Sequence, residues 1–130
     1  MDNTLEQDQQ DQIQQMMGYI RQTVPTPALC EAIAEEATEL AQAALKYARI
    51  LRNENPTPAN KVDVMKNLSE EVGDVMLCLD VCNIGPDRNV MAAKLERWVQ
   101  RVQENQNAMM AQRFAQMEPE EPIMEEVSDD

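Results

Sequence analysis

Two short acidic blocks hold the residues whose types and spacing could do chemistry: Glu35-Glu36-Ala37-Thr38-Glu39 and Glu70-Glu71-Val72-Gly73-Asp74. Each lies inside an otherwise apolar, helix-patterned stretch. Positions i and i+3 of a helix project to neighbouring spots, with Cβ atoms about 5–6 Å apart. Glu36 with Glu39 and Glu71 with Asp74 are such pairs. If their helices pack face to face, four carboxylates converge, and unneutralised they repel and raise one another's pKa values. Burying ionised carboxylates also carries a desolvation cost. A divalent cation answers both problems. Mg²⁺ takes oxygen ligands and usually keeps waters for a phosphate-bearing substrate. The chain has no His, which removes the usual general base and most transition-metal designs. A carboxylate must then serve as base toward a polarised water, with Glu35, Glu36 or Glu70 the candidates.

A basic row could supply the other half of such a site. Lys94, Arg97 and Arg101 recur at i, i+3 and i+7, on one helix face. Phosphoryl transfer needs positioning and neutralisation of several phosphate oxygens, and carboxylate-bound metal plus a Lys/Arg row can hold a triphosphate from two sides. No Gly-rich loop ending in Lys-Ser or Lys-Thr is present, so a P-loop is not expected. Either acidic block alone, or the basic row alone, is also what a solvated helix face looks like. Both blocks together, partly within apolar stripes and followed by the basic row, favour the metal-site reading.

The elements that must position these groups read as helices. Residues 1–7 are polar and expected to be frayed or disordered, and the domain spans 8–117. A first helix is expected from Asp8 to Thr23, with Ile13, Met16, Met17 and Ile20 on one face and Val24-Pro25 ending it. Thr26-Pro27 opens a second as N-cap and first helical residue. It runs to Leu51, with a stripe of Leu29, Ile33, Leu40, Ala44, Tyr47 and Leu51. Glu36 falls inside that stripe and Glu39 at its edge. Lys46 and Arg49 or Arg52 complement the C-terminal end of its dipole. Thr57-Pro58 repeats the opening device for a third helix ending near Ile84, before Gly85-Pro86. Its main face is expected to be Val62, Met65, Leu68, Val72, Val75, Met76 and Leu79, with Glu71, Asp74 and Cys78 on the flank. Past Asp74 this helix is apolar nearly all round, which marks a buried helix and, in a chain this small, a subunit interface. Asp87 caps a fourth helix to Gln116, with Val90, Leu95, Trp98 and Val102 on its apolar side. Trp98 and Tyr47 are read as core residues, with base stacking the alternative. Residues 118–130, rich in Pro and acids, read as a disordered tail.

Composition agrees with an all-α fold. The chain has 130 residues, 3% aromatics, ten Met and three Gly, and no period-2 β-branched run suggests a sheet. Net charge is −13, and seven of the acids lie after Met117. The lack of a dominant basic stripe argues against nucleic acid as the main ligand. Cys30, Cys78 and Cys82 are too few and too poorly spaced for a zinc site or disulfide framework and read as small core residues. With no signal segment and no apolar run near ~18 residues, a cytoplasmic protein without membrane association is expected.

On these residues the sequence resembles the MazG-like branch of the all-α nucleoside triphosphate pyrophosphohydrolases. That family's ExxE and ExxD pairs read here Glu36-Ala-Thr-Glu39 and Glu71-Val-Gly-Asp74, within EEATELAQAALK and EEVGDVMLCLD; Lys94-Leu-Glu-Arg97 followed by Arg101 is similar too. The likeness covers about Leu29 to Val102. It implies a four-helix bundle subunit with a helical oligomer interface, assembling as a homodimer or homotetramer. It also implies Mg²⁺-dependent cleavage of a (d)NTP to the monophosphate and pyrophosphate, with Mn²⁺ as substitute. Carried over by motif, Glu36, Glu39, Glu71 and Asp74 bind metal, Glu35 supports the ligand shell or acts as base, and Lys94, Arg97 and Arg101 hold phosphates. Two departures stand out. There are 31 residues between Glu39 and Glu71, longer than usual for the family, and the excess is expected in the Asn53–Pro58 loop. Trp98 stands where many relatives carry Asn. The alternatives are the related phosphoribosyl-ATP pyrophosphohydrolase activity and a non-catalytic helical oligomer that binds a nucleotide or partner protein. An acidic adaptor working through its tail is a third reading.

Overall fold

A computed structural model describes residues 3–54 and 59–117. All regular structure among them is helical, in four helices: α1 (Asn3–Thr23), α2 (Thr26–Leu51), α3 (Lys61–Val81) and α4 (Arg88–Gln116). The chain divides into two compact units, 1–85 and 86–130. No helix among the described residues is long and apolar enough to cross a membrane. The acidic tail expected at 118–130 lies outside the described residues, as does the Thr57-Pro58 opening device.

The helix ends show where sequence rules held and where they moved. α1 starts at Asn3, five residues before the expected Asp8, because Leu5, Glu6 and Gln7 are helix-compatible and no Pro or Gly interrupts them. Pro25 (φ −59°, ψ 141°) takes the N-cap position of α2, so Thr26 is already helical and gives no side-chain cap. The extended ψ of Pro25 supplies the non-helical entry that the sequence reading assigned to Thr26. α3 begins only at Lys61, capped by Asn60, whose side chain accepts from the Val62 N–H at 2.9 Å. Asp87 caps α4 as expected, accepting from Asn89 and Val90 N–H at 3.0 and 3.1 Å.

α2 and α3 close the same way. Asn53 and Asn83 sit at φ 56° and 54°. Asn53 N–H donates to Ile50 and Glu54 N–H to Arg49, while Asn83 N–H donates to Asp80 and Ile84 N–H to Leu79. These 5→2 and 6→1 bonds make Schellman closures, with Asn tolerating the left-handed position usually given to Gly. α3 therefore ends at Val81, ahead of the expected Ile84, and Asn83 rather than Gly85-Pro86 terminates it.

Within residues 1–85, α2 and α3 form an antiparallel hairpin, their most extensive mutual contact, and α1 packs against α3. The covered row of α2 is Leu29, Ile33, Glu36, Leu40, Ala43, Tyr47 and Ile50; that of α3 is Val64, Leu68, Glu71, Val75, Cys78 and Cys82. Both rows alternate steps of three and four, the spacing of two helices packed side by side. Tyr47 Oη lies 3.9 Å from Met65 Sδ near the hairpin's closed end. Ala43, Val64 and Val81 are the buried residues among those described.

The face of α3 differs from expectation. Val62, Met65, Val72 and Met76, expected in the core, are exposed, Val62 by 72%. The row through Glu71 and Cys78, expected on the flank, faces α2 instead. An apolar-all-round helix carries no periodicity that selects a face, so packing chooses it. Cys30 is also exposed rather than core, while Cys78 and Cys82 are half-buried; all three are free thiols.

Gly73 lies in the exposed wall of α3, and a Cβ built there meets nothing within 4 Å. Gly in a helix interior costs roughly 0.5–1 kcal/mol relative to Ala. Gly73→Ala is therefore expected to stabilise the isolated chain by about that amount, read as a higher midpoint in urea. A lower midpoint would show that another surface packs against this position.

Candidate metal centre

The carboxylates converge because each helix places one glutamate in the packed seam. Glu36 takes the position between Ile33 and Leu40 on α2; Glu71 takes the one between Leu68 and Val75 on α3. Asp74, one turn on from Glu71, joins them from the exposed edge. Ligand oxygens of Glu36, Glu71 and Asp74 all lie within 4.8 Å of one another. Two oxygens bound to one Mg²⁺ at about 2.1 Å can be at most about 4.2 Å apart. Small side-chain rotations therefore suffice to close the triad on a single ion.

Electrostatics sets these carboxylates against one another. Glu71 Oε2 is buried and makes no hydrogen bond. Desolvation first, then the charges of Glu39, Asp74 and Glu36, then a hydrogen bond shared with Glu39, hold the Glu71 carboxyl above its ordinary value of 4.5. Glu36 is raised from the same value by desolvation first, then by Glu39, Asp74 and Glu35. A buried acceptor without a donor costs free energy, and like charges at close range add to it. A divalent cation would satisfy the orphaned oxygen and reverse the sign of the local field. The residues present fit an oxygen-ligated ion of the Mg²⁺ class.

Glu39 is not part of the close triad. It is exposed, and lines a small cleft with Glu71, Gln42, Ala43, Lys46 and Asn67. Its charge acts on both Glu36 and Glu71, so it adjoins the triad on the Lys46 side. Glu35 and Glu70 are exposed, each next to a seam glutamate in sequence. Lys46 is the member that sequence reasoning missed, having been assigned only to the helix dipole. The signal was present: Lys46 follows Glu39 by seven residues and shares its side of α2.

Cys78 borders the triad at its other end. Burial first, then the negative charge of Glu36, with Cys82 and Asp74, pushes its thiol up from 9.0.

Lys94, Arg97 and Arg101 lie on α4 in the unit 86–130 and are exposed. They line one concave patch together with Trp98. Trp98, expected in the core, is 63% exposed. At ~100° per residue it falls between the basic row and the apolar side formed by Leu95 and Val102, so the two faces merge into one cationic, aromatic surface.

Comparison with protein-family models, curated proteins and solved structures returned no match.

Proposed function

We propose that the chain is a Mg²⁺-dependent nucleotide pyrophosphohydrolase that cleaves a (d)NTP to the monophosphate and pyrophosphate. The carrying observation is the Glu36–Glu71–Asp74 triad drawn across two helices around an unpaired buried oxygen. The sequence likeness to the MazG-like branch points the same way. Glu36, Glu71 and Asp74 hold the ion, with Glu39 completing the acidic wall. When bound, the ion neutralises phosphate oxygens and makes a coordinated water more acidic. Glu35 or Glu36 takes the proton from the attacking water. That water's oxygen bonds to the α-phosphorus, the bond to the bridging oxygen breaks, and pyrophosphate leaves. Lys94, Arg97 and Arg101 are assigned to phosphate binding, Arg and Lys both being suited to that charge.

The same reading includes a four-helix bundle that assembles as a homodimer or homotetramer. Support comes from unit 1–85, where the Val62, Met65, Val72 and Met76 side of α3 is exposed and only three of the described residues are buried. Small helical units seldom fold stably on so little core, and a large open apolar face marks an interaction surface.

This exposed face also favours a second reading, a non-catalytic helical oligomer that binds a nucleotide or partner protein. Incubation with a panel of (d)NTPs and phosphoribosyl-ATP in Mg²⁺, scored for pyrophosphate, separates the two. The enzyme reading expects pyrophosphate from at least one nucleotide. Tight nucleotide binding with no product, in Mg²⁺ or Mn²⁺, establishes the second reading and overturns the first.

A further inference from the structure

The α2–α3 hairpin carries a cation of its own beside the triad. Lys46 lines a cleft of about 260 Å³ with Glu39, Gln42, Ala43, Asn67 and Glu71. Ala43 is the buried member of that lining, and its small side chain leaves room between the polar groups. Along α2, Lys46 stands seven residues past Glu39, about 10 Å toward the closed end of the hairpin. Cα–Cβ bonds of a helix tilt toward its N-terminus. Lys46 therefore leans back toward the Glu39 turn, and Glu71, on the antiparallel α3, leans toward the cleft. A ligand of the candidate metal centre stands at one end of the cleft and an ammonium at the other. We propose that this cleft receives the pyrophosphate end of the nucleotide, with Lys46 as its phosphate-binding residue.

The lining selects the occupant. Nucleobases are held on apolar or aromatic platforms, and the cleft has no aromatic member. Lys46, Gln42 and Asn67 instead bring N–H donors suited to oxyanions. Pockets that hold whole ligands run to about 300–1,000 Å³, so a cleft of this size takes one end of a nucleotide. Charge adds a condition. Without metal, Glu36, Glu39, Glu71 and Asp74 outweigh Lys46, the cation of the lining, and repel phosphate. A divalent ion at the triad cancels two of those four charges and changes the sign of the field beside it. The cleft then accepts an anion, and Lys46 holds it next to the ion. The identity of the ligand rests on the proposed function, and the test separates the two.

Inorganic pyrophosphate is the probe, titrated by calorimetry into the full chain with and without Mg²⁺, beside Lys46→Gln, Lys46→Arg and Lys61→Gln. Lys61 opens α3 outside the cleft and controls for lost surface charge. Wild-type binding is expected with Mg²⁺ alone. Lys46→Gln should weaken it about tenfold, the scale of one hydrogen bond to a charged group. Lys46→Arg keeps the charge and should retain most of the affinity, and Lys61→Gln should change it by under about twofold. Mn²⁺ binding, read by electron paramagnetic resonance, should be the same in every variant. A wild-type chain that binds no pyrophosphate with Mg²⁺, or a Lys46→Gln variant that binds it as tightly as Lys61→Gln, would overturn the proposal. So would loss of Mn²⁺ binding in Lys46→Gln, which would make the lysine a support of the metal centre. Nucleotide turnover is scored separately. Lys46-dependent pyrophosphate binding in a chain that cleaves no (d)NTP keeps the cleft and overturns the hydrolase reading. Turnover with an unaltered KM in Lys46→Gln keeps the hydrolase and overturns the role of the cleft.

Discussion

Asp74→Asn is expected to lower nucleotide turnover at least about a hundredfold, because even the outer hydrogen-bond partners of metal ligands cost 10–100-fold when lost. The amide keeps the size of the side chain and removes its charge, and Asp74 is the exposed member of the triad. Its replacement should leave helical circular dichroism unchanged, separating lost chemistry from lost fold. Glu36→Gln should lose turnover to a similar degree. Glu39→Gln is a sharper probe, since Glu39 stands beside the triad rather than in it. The family likeness expects full loss on its replacement. The geometry expects full loss only if a bound ion draws Glu39 inward from the Lys46 cleft. Near-full activity in Asp74→Asn would refute the ligand assignment. Near-full activity in Glu39→Gln alone would restrict it to the three seam-and-edge carboxylates.

The second large effect concerns the metal-free protein. Glu36 and Glu71 both have folded-state pKa values raised above 4.5. A group with a raised folded value makes the native state bind more protons than the unfolded chain. Its contribution to stability is full below pH 4.5 and is lost as pH climbs through the raised value. The metal-free protein should thus melt lower at neutral pH than in the mildly acidic range just above 4.5. Glu71→Gln removes the charge and places amide donors beside Glu36 and Glu39. It should raise the neutral-pH melting temperature without metal, flatten the pH dependence, and abolish stabilisation by Mg²⁺. Glu70→Gln makes the same charge change at the exposed neighbour, and should do none of these. The comparison matters because the chain's net charge of −13 alone makes acidification favourable. Equal melting temperatures for the two variants would show that the seam glutamate is not strained.

How much of this was legible in the sequence follows from particular residues. Glu36 was visible because it interrupts the Leu29–Ile33–Leu40 stripe at a position where period 3.6 demands burial. Glu71 was not visible as a seam residue. Its helix is apolar on several sides, so the pattern could not say which side meets α2, and the packed hairpin chose the row with the acid in it. Asp87 was legible as a cap because an Asp after Pro and before a helical run has few other roles. The end of α2 at Leu51 was legible, whereas Asn83 was not read as the end of α3 because Gly85 and Pro86 are the stronger stop signals, although Asn also takes positive φ. The long Glu39–Glu71 spacer proved harmless to convergence. α2 runs to Leu51 and α3 starts at Lys61, so the connection between them lies at the closed end of the hairpin, away from the triad. Trp98 was misplaced because a lone aromatic beside apolar neighbours reads as core, whereas on α4 it borders the basic row.

The central claim is that the α2–α3 seam holds a divalent cation, and Mn²⁺ tests it most directly. Electron paramagnetic resonance of Mn²⁺ titrated into the protein at neutral pH measures the ion that stays free. The account predicts that the free signal is suppressed until a site fills, that Mg²⁺ competes it back, and that Asp74→Asn and Glu71→Gln lose the suppression while Glu70→Gln keeps it. A free Mn²⁺ signal that rises from the first addition, or suppression that survives both substitutions, would contradict it.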